Sequence, residues 1–269
     1  MSAEPVSSSH AFAPFLETLA KAASDAIMPH FRQGFDIDNK WAEGFDPVTV
    51  ADRDGETAMR ALINDTYPDH GILGEEHGPE NLDAEHVWVL DPIDGTRAFI
   101  TGLPTWGTLI GLKSGGKPSL GMMVQPYIGE RFGGDCKTAW YRGPLGSRAL
   151  KTRACAALKD ATIFTTTPAL FRDGERTAFD RVEAAVQLSR YGTDCYAYCM
   201  VAAGHGDAVI ETGLQAYDIV ALVPIIEGAG GVVTTWTGDS PTDGGQIVAS
   251  GDPRLHDILL RELAKTAAV

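Results

Sequence analysis

The sequence predicts an α+β half followed by an α/β half. Three observations carry this. Apolar residues at helical spacing open the chain, apolar runs broken by Gly and Pro fill its middle, and strands alternate with helices from about residue 160 onward. The division expected is a disordered lead-in over residues 1–11, an N-terminal α+β subdomain over 12–150 and a C-terminal α/β subdomain over 151–269. With 269 residues and neither repeats nor a low-complexity linker, two subdomains sharing one interface fit better than two separate domains.

Phe12, Phe15, Leu16, Leu19, Ala23 and Ile27 recur at helical intervals, which predicts a first helix from about 12 to 30. Met59, Leu62 and Ile63 do the same for a second, about 52 to 66, ending before "YPDHG". "GILGEE" and "VWVLD" read as apolar strands that deliver acids at their ends. From 105 to 142, strand-like runs such as "WGTLIGL" and "LGMMVQP" alternate with Gly and Pro turns, as in an antiparallel meander. Then "ATIFTTT" is a strand, 174–188 a helix, "SRYGT" a strand and 194–203 a helix. "DAVIETG" is a strand, 218–229 a helix, "GVVTTW" and "GQIVAS" are strands, and a helix over 253–265 closes the chain.

Apolar residues make up 44% of the chain and charged residues 22%, enough for a sizeable core. The net charge of -14, with no Lys/Arg run, argues against direct binding to nucleic acid or to an anionic membrane, both of which need a basic patch. An anionic substrate would need positive charge that the sequence does not cluster, which points to bound metal. The N-terminus lacks the basic and apolar regions of a signal peptide, and "IVALVPIIEGAGGVV" is broken by Pro224, Glu227 and glycines, so the expected location is the cytoplasm. Cys136, Cys155, Cys195 and Cys199 form no CxxC pair; the last two, one helical turn apart, read as buried apolar thiols.

Four acidic stretches stand out. In "DPIDGT", Pro92 turns the chain after a strand, so that Asp91 and Asp94 can point into one cleft with the Ile93 carbonyl between them. Oxygen ligands of this kind suit a hard cation such as Mg²⁺. Gly95 and Thr96 open a helix, whose free N–H groups suit phosphate. Glu75 and Glu76 end another short strand, Asp218 opens a helix, and Asp46, Thr49 and Asp52 stand in "DPVTVAD" at the start of the second helix. Taken singly, each is equally a turn or a helix cap. Their joint occurrence in this order is the signal.

In that order "DPVTVAD", "GEE", "DPIDGT" and "YDIVALVPIIEGAGG" resemble the signatures of the inositol monophosphatase family, over about residues 12 to 265. The resemblance implies an αβαβα layered sandwich and Mg²⁺-dependent hydrolysis of a small phosphomonoester, with two or three Mg²⁺ per site and a homodimer. It implies Glu75, Asp91 and the Ile93 carbonyl as ligands of one metal, and Asp91, Asp94 and Asp218 as ligands of a second. Gly95 and Thr96 would bind phosphate, Thr96 with Glu75 would orient the attacking water, and Asp46, Thr49 and Asp52 would support that water. Within the family, "GLPTWGTLIGL", "GERFGG" and "GTDCYAYCMVAAGHGDAVIETGL" look most like the histidinol-phosphatase branch, which acts in histidine biosynthesis. The alternatives are an inositol monophosphate or bisphosphate phosphatase, or a non-catalytic regulatory protein of the same fold. Asp194 and Glu211 would then face the departing alcohol, where two carboxylates favour a cationic one; Asp194 reads equally as a helix N-cap. Tyr217 stands where many relatives carry Trp.

Overall fold

The computed structural model describes residues 8–33, 38–39 and 47–267. Helix α1 (Ser8–Ile27) takes in residues 8–11, which the apolar spacing does not reach. A two-stranded ribbon, β1 (Asp38–Asn39) and β2 (Pro47–Val48), lies between it and helix α2 (Val50–Thr66) along the chain. A seven-stranded sheet follows: β3 (Gly71–Gly74), β4 (His86–Asp94), β5 (Gly107–Ser114), β6 (Lys117–Gln125), β7 (Glu130–Gly134), β8 (Ala139–Gly143) and β9 (Gly146–Ala149), side by side in that order. Only β3 and β4 pair in parallel; the rest is the expected meander, with helix α3 (Thr96–Ile100) between β4 and β5. Strand β9 had no periodic signal to find, since all four of its residues are exposed.

The second half holds β10 (Thr162–Thr165), α4 (Asp173–Glu183), β11 (Leu188–Tyr191), α5 (Asp194–Ala202), β12 (Ala208–Leu214), α6 (Ala216–Ile219), α7 (Leu222–Gly228), β13 (Val232–Thr235), β14 (Gly245–Ser250) and α8 (Pro253–Leu263). Its sheet runs β11-β10-β12-β14-β13, parallel across the first three strands and antiparallel beyond them. Two expected helices change here. The one placed at 174–188 ends at Glu183, because the chain must turn into β11. The one placed at 218–229 is two short helices with Val220 and Ala221 between them. Pro224 has no N–H to offer the Val220 carbonyl, so the helical ladder is interrupted at that point.

Side-chain alternation stacks these elements into five layers, αβαβα. Leu112, Met122 and Val124 face α1 and α2, where Leu16, Leu19, Ile27, Met59 and Ile63 meet them. Leu109, Met123 and Phe132 point to the other face, against α5 and α7. On the second sheet Val209, Ile247 and Ala249 close that middle layer, while Ile210 and Val248 turn outward to Phe179, Leu255 and Leu259 of α4 and α8. Cys195 and Cys199 are buried free thiols of the middle layer.

The middle layer is tightest where glycines of the large sheet, Gly111, Gly121 and Gly134, meet the chain from Val220 to Ile225. A Cβ on Gly121 would lie 1.9 Å from the Ala221 carbonyl oxygen, so only glycine permits the approach. At the far end of the molecule Asp252 caps α8. It accepts from the Arg254 amide at 2.9 Å and the Cys155 amide at 2.9 Å, and from the Arg254 guanidinium at 2.6 and 3.0 Å. The Arg254 bond, with the two amides, holds its carboxyl well below the usual carboxylate range. A depressed carboxylate stabilises the fold above its unfolded pKa, and that stability is lost as pH falls through the folded one. Asp252→Ala should therefore cost about 1–2 kcal/mol in urea unfolding at pH 7. The gap to wild type should persist down to about pH 4 and narrow below it.

Candidate active site

Four acids converge where the first sheet meets the middle layer. Strand β4 supplies two, and its register explains how. Side chains three residues apart on a regular strand point to opposite faces. Between Asp91, opposite Leu109, and Asp94, opposite Gly107, β4 spends three residues where β5 spends two. This one-residue bulge reverses the alternation, so Asp91 and Asp94 open on the same side and Ile93 faces α1 and α2. Pro92 sits inside the interruption, where its missing N–H costs no ladder bond. Asp91 is buried, accepting from the Ile93 amide at 3.1 Å, and Asp94 accepts from the Cys195 amide at the start of α5 at 2.6 Å.

Asp218 arrives from α6. Its carboxylate caps that helix, accepting from the Gln215 amide at 2.7 Å. Carboxylate oxygens of Asp91, Asp94 and Asp218 all lie within 4.8 Å of one another. Glu75 follows β3, whose pairing with β4 continues through a bond from the Glu75 amide to the Leu90 carbonyl at 3.2 Å. Burial pushes Asp91, Asp94 and Asp218 up, Asp94 to about 7, and their mutual repulsion with Glu75 adds to it. This arrangement leaves the acids costly without a cation between them.

Above them opens a cleft of about 620 Å³. It is lined by six carboxylates, Glu75, Asp94, Glu175, Asp194, Glu211 and Asp218, and by two arginines, Arg97 and Arg172. That balance does not suit a bare phosphate ester, but it suits a phosphate ester received by hard divalent cations. Gly95, in the left-handed region at φ 86°, turns the chain into α3, and Gly95 and Thr96 line the cleft floor. The Thr96 hydroxyl donates to the Ile93 carbonyl at 3.2 Å.

Thr49 and Asp52 form a capping box at α2: the Thr49 amide and hydroxyl donate to Asp52 at 2.8 and 2.6 Å. Burial pushes the Asp52 carboxyl up to about 6, with Glu75 adding to the rise and the Thr49 bonds opposing it. The pair is thus a helix cap that also stands within the field of Glu75. Asp46 lies outside the described residues.

Across the cleft, Glu211 is buried on β12, accepting from the Thr166 amide at 2.6 Å and its hydroxyl at 3.0 Å. Burial pushes it up to about 8. Asp194 is the first residue of α5, with Thr193 in the cap position and a left-handed φ of 41°. It does not cap the helix; it faces the cleft, 3.4 Å from the Thr166 hydroxyl.

A model of the inositol monophosphatase family matches residues 9–267. The chain belongs to the inositol monophosphatase family. It is 43% identical over 263 residues to the bifunctional phosphatase IMPL2, chloroplastic, of Arabidopsis thaliana, covering 94% of this chain and 75% of that protein. It is 33% identical over 220 residues to a histidinol-phosphatase of Mycobacterium tuberculosis, 81% of this chain and 84% of that one. The structure of an inositol monophosphatase from Zymomonas mobilis matches with a TM-score of 0.85 at 39% identity, over 96% of this chain and 100% of that one. Enzymes of this family are metal-dependent phosphatases that hydrolyse phosphomonoesters, and the acidic cluster of this member fits that chemistry.

Several site residues were not read from the sequence. Glu56, fully buried in α2, accepts from the amides of Glu76 at 2.7 Å and His77 at 3.1 Å, and so holds the loop that carries Glu75. Arg60, one turn on, donates to Glu56 at 2.7 Å, to Glu80 at 2.7 Å and to the carbonyls of His77 and Gly78. Their i, i+4 spacing was visible, but it reads as a solvent-exposed helix pair. Thr166, Arg97 and Arg172 carry no motif at all. Tyr198, which no motif marks, has its hydroxyl buried beside the acids without a partner among the described residues.

Proposed function

We propose that this phosphatase is a Mg²⁺-dependent histidinol-phosphatase of histidine biosynthesis, converting L-histidinol phosphate and water to L-histidinol and phosphate. The observation that carries the reading is the acidic wall made by Asp194 and Glu211 next to the Asp91, Asp94 and Asp218 cluster. A departing alcohol that carries an ammonium and an ionisable imidazole suits that wall; a neutral polyol gains nothing from its charge. The Mycobacterium tuberculosis relative, named a histidinol-phosphatase, supports it. The Zymomonas mobilis structure, described as an inositol monophosphatase, keeps inositol monophosphate as the second reading.

In this proposal Glu75, Asp91, the Ile93 carbonyl, Asp94 and Asp218 hold two or three Mg²⁺. When bound, the cations neutralise the acids, polarise the phosphoryl oxygens and make a water acidic enough to attack. Gly95 and Thr96 bind the phosphate, and Glu75 with Thr96 orients the attacking water. Thr49 and Asp52 steady that arrangement from the start of α2, with Asp46 assigned to the same support by resemblance alone. Glu211, fixed by two bonds from Thr166, and Asp194 hold the departing alcohol so that its ester oxygen stays in line with the attack. The family likeness supports a homodimer. The cytoplasm is the location proposed, although the Arabidopsis relative is named as chloroplastic.

Phosphate release from L-histidinol phosphate and from inositol monophosphate, each with and without Mg²⁺, tests the proposal. Histidinol phosphate should be the better substrate by kcat/KM, and release should stop without the metal. Asp194→Asn removes the charge while tolerating the left-handed backbone. It should narrow the preference by about tenfold or more, since hydrogen bonds to charged groups contribute roughly 1.5–3 kcal/mol. A wild-type preference for inositol monophosphate would sink the reading, and an unchanged preference in the variant would remove Asp194 from it.

A further inference from the structure

A recess of about 20 Å³ adjoins the cleft. Asp94, Thr166, Asp194, Glu211 and Asp218 line both spaces, so the recess opens into the cleft. Tyr198 lines it, is 3% exposed, and has a buried hydroxyl with no hydrogen-bond partner among the described residues. A buried polar group of this kind is unusual in a native protein and marks a missing partner. The volume admits one atom of about the size of a water molecule.

The walls decide what that atom is. They present four carboxylates and no Lys, Arg or His; Asp94 and Asp218 belong to the metal-binding cluster, which leaves Asp194 and Glu211 for the occupant. The Thr166 hydroxyl, which could have served as a donor, lies 3.0 Å from Glu211 and is already committed to it. The occupant must therefore bring hydrogen-bond donors and positive charge. A primary ammonium brings three donors on one nitrogen, whereas a water brings two and no charge. The recess also borders Asp94 and Asp218 of the acid cluster.

We propose that this recess is an ammonium subsite with the Tyr198 hydroxyl as one of its acceptors, and that it selects phosphate monoesters of 2-amino alcohols as a class. The proposal rests on the phosphatase reading above but not on the imidazole. The ammonium donates to Asp194, Glu211 and the Tyr198 oxygen. Selection then lies in the amine, and the remainder of the alcohol lies in the wider cleft, along Leu170, Gln215 and Tyr217.

The test uses the Mg²⁺-loaded full chain and two matched pairs: L-histidinol phosphate with its des-amino analogue, and 2-aminopropyl phosphate with propyl phosphate. In wild type the amino member of each pair should have the higher kcat/KM by tenfold or more. Tyr198→Phe should cut that ratio by about tenfold in both pairs. The replaced hydroxyl has no partner among the described residues, so the variant should fold, which a thermal melt followed by circular dichroism checks. Absence of amino preference in wild type overturns the subsite. So does a Tyr198→Phe variant that loses both members of a pair equally, which would mark a structural water. If inositol monophosphate outperforms histidinol phosphate while both amino preferences hold, the histidinol reading fails and the subsite stands.

Discussion

Asp94→Asn should abolish nearly all turnover and leave the molecule folded. The side chain is nearly isosteric, and its oxygen can still accept from the Cys195 amide that now lies 2.6 Å away. What is lost is one negative charge at the centre of the acid cluster, facing Asp194, Glu75 and Asp218. Weaker cation binding and a less stabilised transition state together should lower kcat/KM by about a thousandfold or more. Stability should move the other way. Burial and repulsion raise the folded pKa of Asp94 to about 7, above its unfolded value, so the ionised form is penalised by folding and the penalty grows as pH rises. Without Mg²⁺ at pH 7 to 8, the variant should melt no lower than wild type, and added Mg²⁺ should raise its melting temperature less. Near-normal turnover at saturating Mg²⁺ would refute the assignment of Asp94 as a ligand.

The second large effect is expected at a glycine of β6. Gly121→Ala puts a methyl group 1.9 Å from the Ala221 oxygen and 2.7 Å from its carbonyl carbon, both backbone atoms that cannot swing aside. Either the helix pair α6 and α7 lifts off the sheet or β6 bends, at a cost of about 3 kcal/mol or more. Because α6 carries Asp218, activity should fall further than stability alone explains: a displacement near 1 Å at reacting groups costs roughly a hundredfold. Gly78→Ala is the control, since nothing lies within 4 Å of its added Cβ. Denaturant unfolding and kcat of the folded variant separate the two losses. A Gly121→Ala protein as stable and as active as wild type would show that the close approach is not needed.

Helical periodicity and strand alternation made the order of elements legible, from Phe12 onward to the final helix. They are local signals, and each element's buried face follows from them. The five layers were legible only through resemblance, since nothing local says which sheet face meets which helix. Boundaries failed where another constraint outweighed periodicity: Pro224 divides the helix that Asp218 opens, and β9 carries no apolar face at all. Among the acids, Asp91, Asp94, Glu75 and Asp218 were found because motifs place them at strand and helix ends. Asp194 remained ambiguous because first-turn Asp residues usually cap, and its left-handed φ of 41° is a fact of the fold alone. Glu56 and Arg60 act through bonds to a loop 17 to 21 residues away, which composition and spacing do not reveal.

The bulge in β4 gives Ile93 a double allegiance. Its side chain is fully buried against α1 and α2, and its carbonyl accepts from the Thr96 hydroxyl. The segment between Asp91 and Asp94 is therefore specified first as a length. Removing one residue there would return the strand to plain alternation and send Asp94 into oil, whereas trimming Ile93 to Val would leave both carboxylates in place. A designer could repaint residue 93 within the apolar alphabet, but could not edit the count.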